Sequence, residues 1–305
     1  MKKKRLKNST DISKGTNILF NIIAIAIVVM CIFPVLYVIS ISVSTKQSIA
    51  QYGYRLIPSE LTLESYRTLL GGGSNVARAF LNQLLVTIIG TGVGLIVITS
   101  YAYAMSRNDF KFRKFFNTIA FIPMLFSGGM VANYLIMKQV LKLSNNPLAL
   151  ILPLLFNTFY LIIMRTFFQT SVPFTLIEAA MVDGASEFAI FFKIVLPISL
   201  PGIATIALFL TIAYWNDWFH AMLYIDPNSD WITLQYLLIK IQRTIEMVIL
   251  KGSAMGSAAQ DALKTLPSDG VRMAIVVIAT LPIALSYPFF QKYFISGLTL
   301  GAVKE

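Results

Sequence analysis

Between two long apolar runs the chain reads Glu178-Ala179-Ala180-Met181-Val182-Asp183-Gly184-Ala185-Ser186-Glu187-Phe188-Ala189-Ile190-Phe191-Phe192-Lys193-Ile194-Val195-Leu196-Pro197. Local chemistry predicts a helix, a sharp turn and a second helix. Pro173 suits the first turn of a helix, where its missing N–H costs nothing, so Phe174 to about Val182 should be helical. Gly184 ends that helix, because glycine enters the left-handed conformation without a Cβ penalty, and Ser186 can cap a second helix from Glu187 to Lys193. Leu196-Pro197 and Pro201 then redirect the chain into the next apolar run. The paired alanines keep one face of the first helix small. Phe188, Phe191 and Phe192 give the second helix an apolar surface that another protein is expected to cover.

Outward from this stretch the composition places the chain in a bilayer. Of 305 residues, 56% are hydrophobic and only 13% charged, with a mean hydropathy of +0.72, too apolar for a soluble domain. Six runs are long enough to cross a hydrocarbon core: Ile18 to Ile39, Ala79 to Ala104, Phe116 to Ile136, Leu148 to Phe168, Gly202 to Ile225 and Met273 to Phe290. Lipid offers the backbone no hydrogen-bond partner, so each run is expected to be a helix. The predicted fold class is all-α integral membrane, with six transmembrane helices.

Orientation follows from the basic residues. Lys2, Lys3, Lys4, Arg5, Lys7 and Lys14 crowd residues 1–17, and Arg107, Lys111, Arg113 and Lys114 crowd residues 105–115. Both segments are expected in the cytoplasm, and with them the N- and C-termini and the 169–201 loop. External segments carry their basic residues more sparsely. The net charge of +11 is thus read as a topology signal rather than a nucleic-acid surface. The first apolar run exceeds a typical signal-peptide core and is expected to be retained; cleavage near Ser40 to Ser44 would leave the remaining orientation unchanged.

Reactive chemistry is sparse. Cys31 is the single cysteine, which excludes an intrachain disulfide. The single histidine, His220, lies one helical turn from Asp217, a pair too small for a metal centre or a triad and read as a polar contact within the helix. Gly71-Gly72-Gly73-Ser74 lacks the lysine of a phosphate loop and reads as a turn. No metal site and no cofactor are expected on this chain.

The organisation is one membrane domain over 18–293, flanked by a basic N-terminus (1–17) and a tail (294–305), with external insertions at 42–78 and 226–270. In the second insertion Leu234, Leu237, Leu238, Ile241, Ile245 and Ile249 follow helical spacing, which predicts an amphipathic helix. Lys251 to Pro267, rich in Gly, Ala and Ser, reads as a loop reaching an external partner or as a solvated linker.

The spacing Glu-Ala-Ala, three residues, Gly, nine residues, Ile, one residue, Leu-Pro resembles the cytoplasmic coupling loop of permease subunits in binding-protein-dependent ABC importers. Residues 291–305, from Gln291 to Glu305, look like the C-terminal tail of the maltose-type branch. Tyr214-Trp215-Asn216-Asp217-Trp218-Phe219 is similar to the Trp-Asn-acid-Phe signature of carbohydrate uptake. Phe121-Ile122-Pro123-Met124 to Gly129, with Asn145-Asn146-Pro147, has the character of Gram-positive permeases for complex oligosaccharides.

That resemblance implies a type I ABC importer permease fold in a bacterial cell membrane and several functional assignments. Glu178, Ala179, Ala180, Asp183, Gly184, Ile194, Leu196 and Pro197 would couple to the ATPase, with Glu178 facing an arginine there. Gly297, Leu298 and Gly301 would reach between two ATPase subunits, which hold ATP and Mg. A second homologous permease and an extracellular sugar-binding lipoprotein complete the implied assembly. A permease for peptides or amino acids, or more distantly an intramembrane enzyme, are the rival readings.

Sugars are held by aromatic faces and hydrogen bonds. Candidates for the cargo path are Asn82, Gln83, Tyr101, Asn133, Tyr134, Asn157, Tyr160, Tyr214, Trp215, Asn216 and Asp217. Each also reads as interhelical glue or an interfacial anchor. Gly90 and Gly94 read as a close helix–helix contact.

Overall fold

In a computed structural model of the chain, residues 14–71, 75–255 and 268–302 are described, without the side chains of 14, 248–255 and 294–302. Most of the basic N-terminus, residues 72–74 of the glycine turn and residues 256–267 of the external loop lie outside the described residues. Among the described residues every element is helical, apart from one isolated antiparallel bridge between Ser44 and Leu61.

The chain begins with α1 (Lys14–Ser42), α2 (Lys46–Tyr52), α3 (Glu64–Leu70) and α4 (Asn75–Ser106). There follow α5 (Arg113–Leu125), α6 (Gly129–Leu135) with a π turn over Ile136–Val140, α7 (Leu148–Ile151) and α8 (Thr158–Ser171). Next come α9 (Phe174–Val182), α10 (Glu187–Ile190) with a π turn over Phe191–Val195, α11 (Leu196–Ile198) and α12 (Leu200–Trp215). The chain ends with α13 (Phe219–Tyr224), α14 (Leu234–Met255) and α15 (Asp269–Ala302). The amphipathic pattern at 234–249 therefore corresponds to α14.

Among the described residues three helices are individually long and apolar enough to cross a membrane: Gly15–Ser42, Asn75–Ser106 and Asp269–Tyr293. Three further crossings could be made by bent pairs: Arg113–Leu125 with Gly129–Val140 at 114°, Leu148–Leu154 with Thr158–Ser171 at 54°, and Glu187–Ile198 with Leu200–Trp215 at 81°. Single helices were expected over 116–136, 148–168 and 202–225, and each is broken. The first breaks before Gly128 and the left-handed Gly129 (φ 78°). The second breaks at Asn157, whose side chain accepts from Phe159 N and Tyr160 N and so starts a new helix. The third ends at Trp215, with Asn216 and Trp218 separating it from α13.

The chain divides into two compact units, Met1–Thr68 with Pro267–Val277, and Leu69–Leu266 with Ile278–Glu305. In the first, the bridge at Ser44 and the Ser42–Tyr66 hydroxyl contact (2.8 Å) tie the end of α1 to α3 and the strand-like segment before it. Ser40 Oγ donates to Arg55 O (2.7 Å), and Tyr54 OH donates to Asp269 Oδ2 (2.8 Å) at the start of α15. Residues 15–36 of α1 are exposed throughout.

The second unit is organised around α4, which packs on α8 and α12. Its core joins Ile98 and Ala102 of α4, Leu161, Met164 and Phe168 of α8, and Ile206, Leu210 and Tyr214 of α12. Gly90 and Gly94 make the α4–α12 approach possible. A Cβ at Gly90 would lie 2.5 Å from Tyr214 Cζ, and one at Gly94 would lie 3.1 Å from Leu210 Cδ1.

Candidate functional site

The stretch from Phe174 to Ile198 folds as a compact helix–turn–helix. Pro173 stands one residue earlier than expected, at the N-cap of α9 (φ −61°, ψ 127°), where its fixed φ still suits the entry. At the other end Gly184 takes φ 78°. Gly184 N donates to Met181 O (3.0 Å) and Ala185 N to Ala180 O (2.9 Å), the paired bonds of a Schellman closure. Ser186 Oγ accepts from Ala189 N (3.3 Å) and starts α10.

The hairpin has an inner and an outer face. Ile177, Ala180, Ile190, Phe191 and Val195 are buried in the core with α4 and α8, and Ala185, Ile194 and Leu196 pack against that core. Glu178, Ala179, Asp183, Gly184 and Pro197 are exposed. So are Val182 (87%), Phe188 (77%) and Phe192 (60%). The two alanines therefore face opposite ways, and Phe191 departs from the expected apolar surface. Its ring faces Tyr103 of α4, 4.9 Å between centroids, as the chain enters the π turn.

Beneath the hairpin a polar junction meets the end of α4. Arg107, whose side chain is 6% exposed, grips Asp109 through Nε–Oδ1 (2.8 Å) and Nη2–Oδ2 (2.6 Å). The same Nη2 donates to Glu187 Oε1 (3.1 Å) and approaches Met181 Sδ (3.5 Å). Tyr103 OH donates to Glu187 Oε2 (2.9 Å), and the guanidinium carbon lies 5.8 Å from the Phe174 ring centroid. The hydrogen bond between Arg107 and Asp109 raises the guanidinium's proton affinity and holds the Asp109 carboxyl below its ordinary range. The sequence registered Arg107 only as a topology charge. A signal was present in Glu187, an acidic residue in a segment assigned to the same side.

The cargo-path candidates divide into interior and exposed groups. Asn82 Nδ2 donates to the carbonyls of Asp230 (2.6 Å) and Ile232 (3.0 Å). Gln83 Nε2 donates to Tyr214 O (2.9 Å), and its Oε1 accepts from Gln235 N (3.4 Å). Tyr214 OH donates to Ile151 O and Trp215 Nε1 to Ala279 O, each at 2.8 Å. These four buried residues are brought together where α4, α12 and the start of α14 meet, and their polar groups already serve the backbone. Asn157 caps α8. Tyr160 stacks on Phe209 (5.6 Å) and Tyr134 on Tyr224 (6.1 Å). Asn133 and Asn216 are exposed, the latter donating to Ile212 O (3.0 Å). Asp217 accepts from the His220 backbone (3.3 Å) and contacts its ring Nδ1 (2.9 Å); the pair was expected within one helix, but Asp217 lies in the break between α12 and α13 and only His220 is helical. Tyr101 donates to Phe116 O (2.8 Å). In the tail, the backbone of Gly297, Leu298 and Gly301 continues α15, with no side chains described.

With this geometry in place, three comparisons converge. Residues 90–299 match the family described as "Binding-protein-dependent transport system inner membrane component". The chain is 38% identical over 275 residues to the polygalacturonan/rhamnogalacturonan transport system permease protein YtcP of Bacillus subtilis (strain 168), covering 90% of this chain and 93% of that one. It is 30% identical over 293 residues to the trehalose/maltose transport system permease protein MalG of Thermococcus litoralis, covering 94% and 96%. A chain in the crystal structure of a bacterial ABC transporter involved in import of the acidic polysaccharide alginate superposes with a TM-score of 0.76 at 27% identity, covering 93% and 99%. The chain therefore belongs to the inner-membrane components of binding-protein-dependent transport systems: it is a multi-pass plasma-membrane permease of an ABC importer, whose ATPase resides in separate subunits.

Proposed function

We propose that this permease forms half of the membrane path for an oligosaccharide, and that its 169–201 loop receives the movement of the ATPase. The observation that carries the coupling role is the two-faced hairpin. Its inner face is built into the core with α4 and α8, while Glu178, Val182, Phe188 and Phe192 stand exposed on the other. Apolar side chains so exposed are costly to leave in water and suit a protein partner. The ATPase-facing set is Glu178, Ala179, Asp183, Gly184 and Pro197; Ala180, Ile194 and Leu196 hold the hairpin to its own core.

Six crossings support the path: α1, α4, the bent pairs Arg113–Leu125 with Gly129–Val140 and Leu148–Leu154 with Thr158–Ser171, α12 and α15. Both termini lie in the cytoplasm, the insertions at 42–78 and 226–270 lie outside, and residues 294–305 extend toward the ATPases. The assembly comprises this chain, a second permease, two ATP-binding subunits that hold ATP and Mg, and an extracellular binding protein. Carbohydrate cargo is supported by the names of relatives, which include polygalacturonan/rhamnogalacturonan, trehalose/maltose and arabinooligosaccharides. ATP shifts the inward- and outward-open populations only by binding the assembly differently in the two states, and the hairpin is where this chain senses that difference.

Gly184→Ile tests the coupling reading. Its φ of 78° is hostile to a β-branched residue whatever the space around it. In the assembled transporter, uptake is expected to collapse while ATP hydrolysis loses its dependence on the binding protein. Normal uptake with normal dependence would remove the coupling role. Titrating the purified binding protein with labelled oligosaccharides, peptides and amino acids tests the cargo class; preference for a peptide or amino acid would overturn it.

A further inference from the structure

The coupling hairpin is joined covalently to α8 through Val172 and Pro173 and to α12 through α11 and Ser199. Its attachment to α4 is made by side chains alone. Part of that attachment is apolar, with Phe191 against Tyr103 (4.9 Å between ring centroids) and Ile190 buried in the same core as Ala102. Apolar contacts are non-directional and permit sliding. The polar contacts have fixed directions, and among the described residues they pass through one carboxylate and one guanidinium.

Glu187 is held on both oxygens from α4 and the residue that follows it: Tyr103 OH reaches Oε2 and Arg107 Nη2 reaches Oε1. Arg107 is itself oriented by the two-point grip of Asp109. From there it touches Met181 at the end of α9 and Phe174 at its start, as well as Glu187 at the start of α10. One side chain thus meets both arms of the hairpin on either side of Gly184. Planar charge-assisted hydrogen bonds of this kind are strong and geometrically specific. The Arg107 side chain is nearly buried whereas Asp109 and Glu187 are about half exposed, so loss of a partner is felt on the guanidinium, which would keep its charge with fewer acceptors.

We propose that Arg107 is a positioning residue for transport: through Glu187 and Asp109 it makes the inner end of α4 move as one body with both hairpin helices. The proposal rests on the reading of the hairpin as the drive joint. Under it, displacement of α9 and α10 by the ATPases reaches α4, and through α4 the helices packed on it.

Two measurements on the complete transporter, with Cys31 replaced by Ser, test this. Nitroxides at Thr175 and Lys111, both exposed, report the separation of hairpin and α4 end, without nucleotide and with the non-hydrolysable analogue AMP-PNP and Mg. One unchanged distance distribution in both states is expected for the parent. Arg107→Ala should broaden or shift it in at least one state and raise ATP hydrolysis in the absence of binding protein by about tenfold, a usual size for coupling between sites. Arg107→Lys, which keeps the charge but not the fork, should give intermediate values in both. Should Arg107→Ala fail to assemble, Glu187→Gln is read in the same way.

Unchanged distances and unchanged basal hydrolysis, or a lower yield of complex with both readouts normal, would overturn the proposal. Gly184→Ile separates it from the reading beneath it. If that variant uncouples and Arg107→Ala does not, only the role of Arg107 falls; if that variant stays coupled, the joint itself is wrong.

Discussion

Gly90 and Tyr214 share a space too small for two ordinary side chains. Tyr214 is fully buried with its hydroxyl on Ile151 O, so the ring has no easy retreat from a Cβ 2.5 Å away. Gly90→Ala is expected to cost about 1–3 kcal/mol, the usual range for overpacking, read as a lower melting temperature of the detergent-solubilised chain. Pairing it with Tyr214→Leu, which removes the clashing ring atoms, should destabilise less than the sum of the two single changes. An additive result would mean that α4 and α12 adjust independently. The sequence announced the close approach through the Gly90/Gly94 spacing but could not name Tyr214, which lies on another helix. Arg107 is the stronger case of the same gap. Its local partner Asp109 is two residues away, but Met181 and Glu187 are 74 and 80 residues on, and only the fold brings them to one guanidinium.

At the scale of elements, features set by neighbouring residues were legible. Gly184 closes α9 and Ser186 starts α10, because glycine's φ freedom and a hydroxyl at an N-cap act within a few residues. The breaks at Gly128, Asn157 and Asn216 were hidden inside apolar runs, since hydropathy records length and not direction. The π turns were invisible as well. A π turn holds one residue more than the α-helical path around it. Deleting Phe192 within Phe191–Val195 is therefore expected to convert this turn to α-helix and preserve the facing of Ile190 and Leu196. A deletion of Ile98, inside the regular α4, should instead turn every following residue about 100° out of place. Circular dichroism and thermal melts of the two deletion variants check this: the first should retain a cooperative transition near that of the parent, and the second should lose it.

For the whole molecule, membership of the importer family is carried by nearly the full length of the chain, whereas the cargo is not written in any one element. The buried polar residues at the α4–α12–α14 junction spend their hydrogen bonds on the backbone, whereas the hairpin leaves Val182, Phe188 and Phe192 exposed. α1 differs from all of these. It has 29 residues, about 43 Å of helix at the usual rise, and residues 15–36 are exposed along it. Ile25→Ala on α1 is expected to leave the melting temperature of the isolated chain unchanged, while Ile206→Ala, fully buried on α12, should cost about 2–5 kcal/mol. Equal losses at the two sites would show that α1 is packed by its own chain. The consequence concerns inheritance more than stability: substitutions in α1 are screened by whatever lies around the helix, lipid or another subunit, so its sequence keeps a record of surroundings where the rest of the chain keeps a record of its own interior.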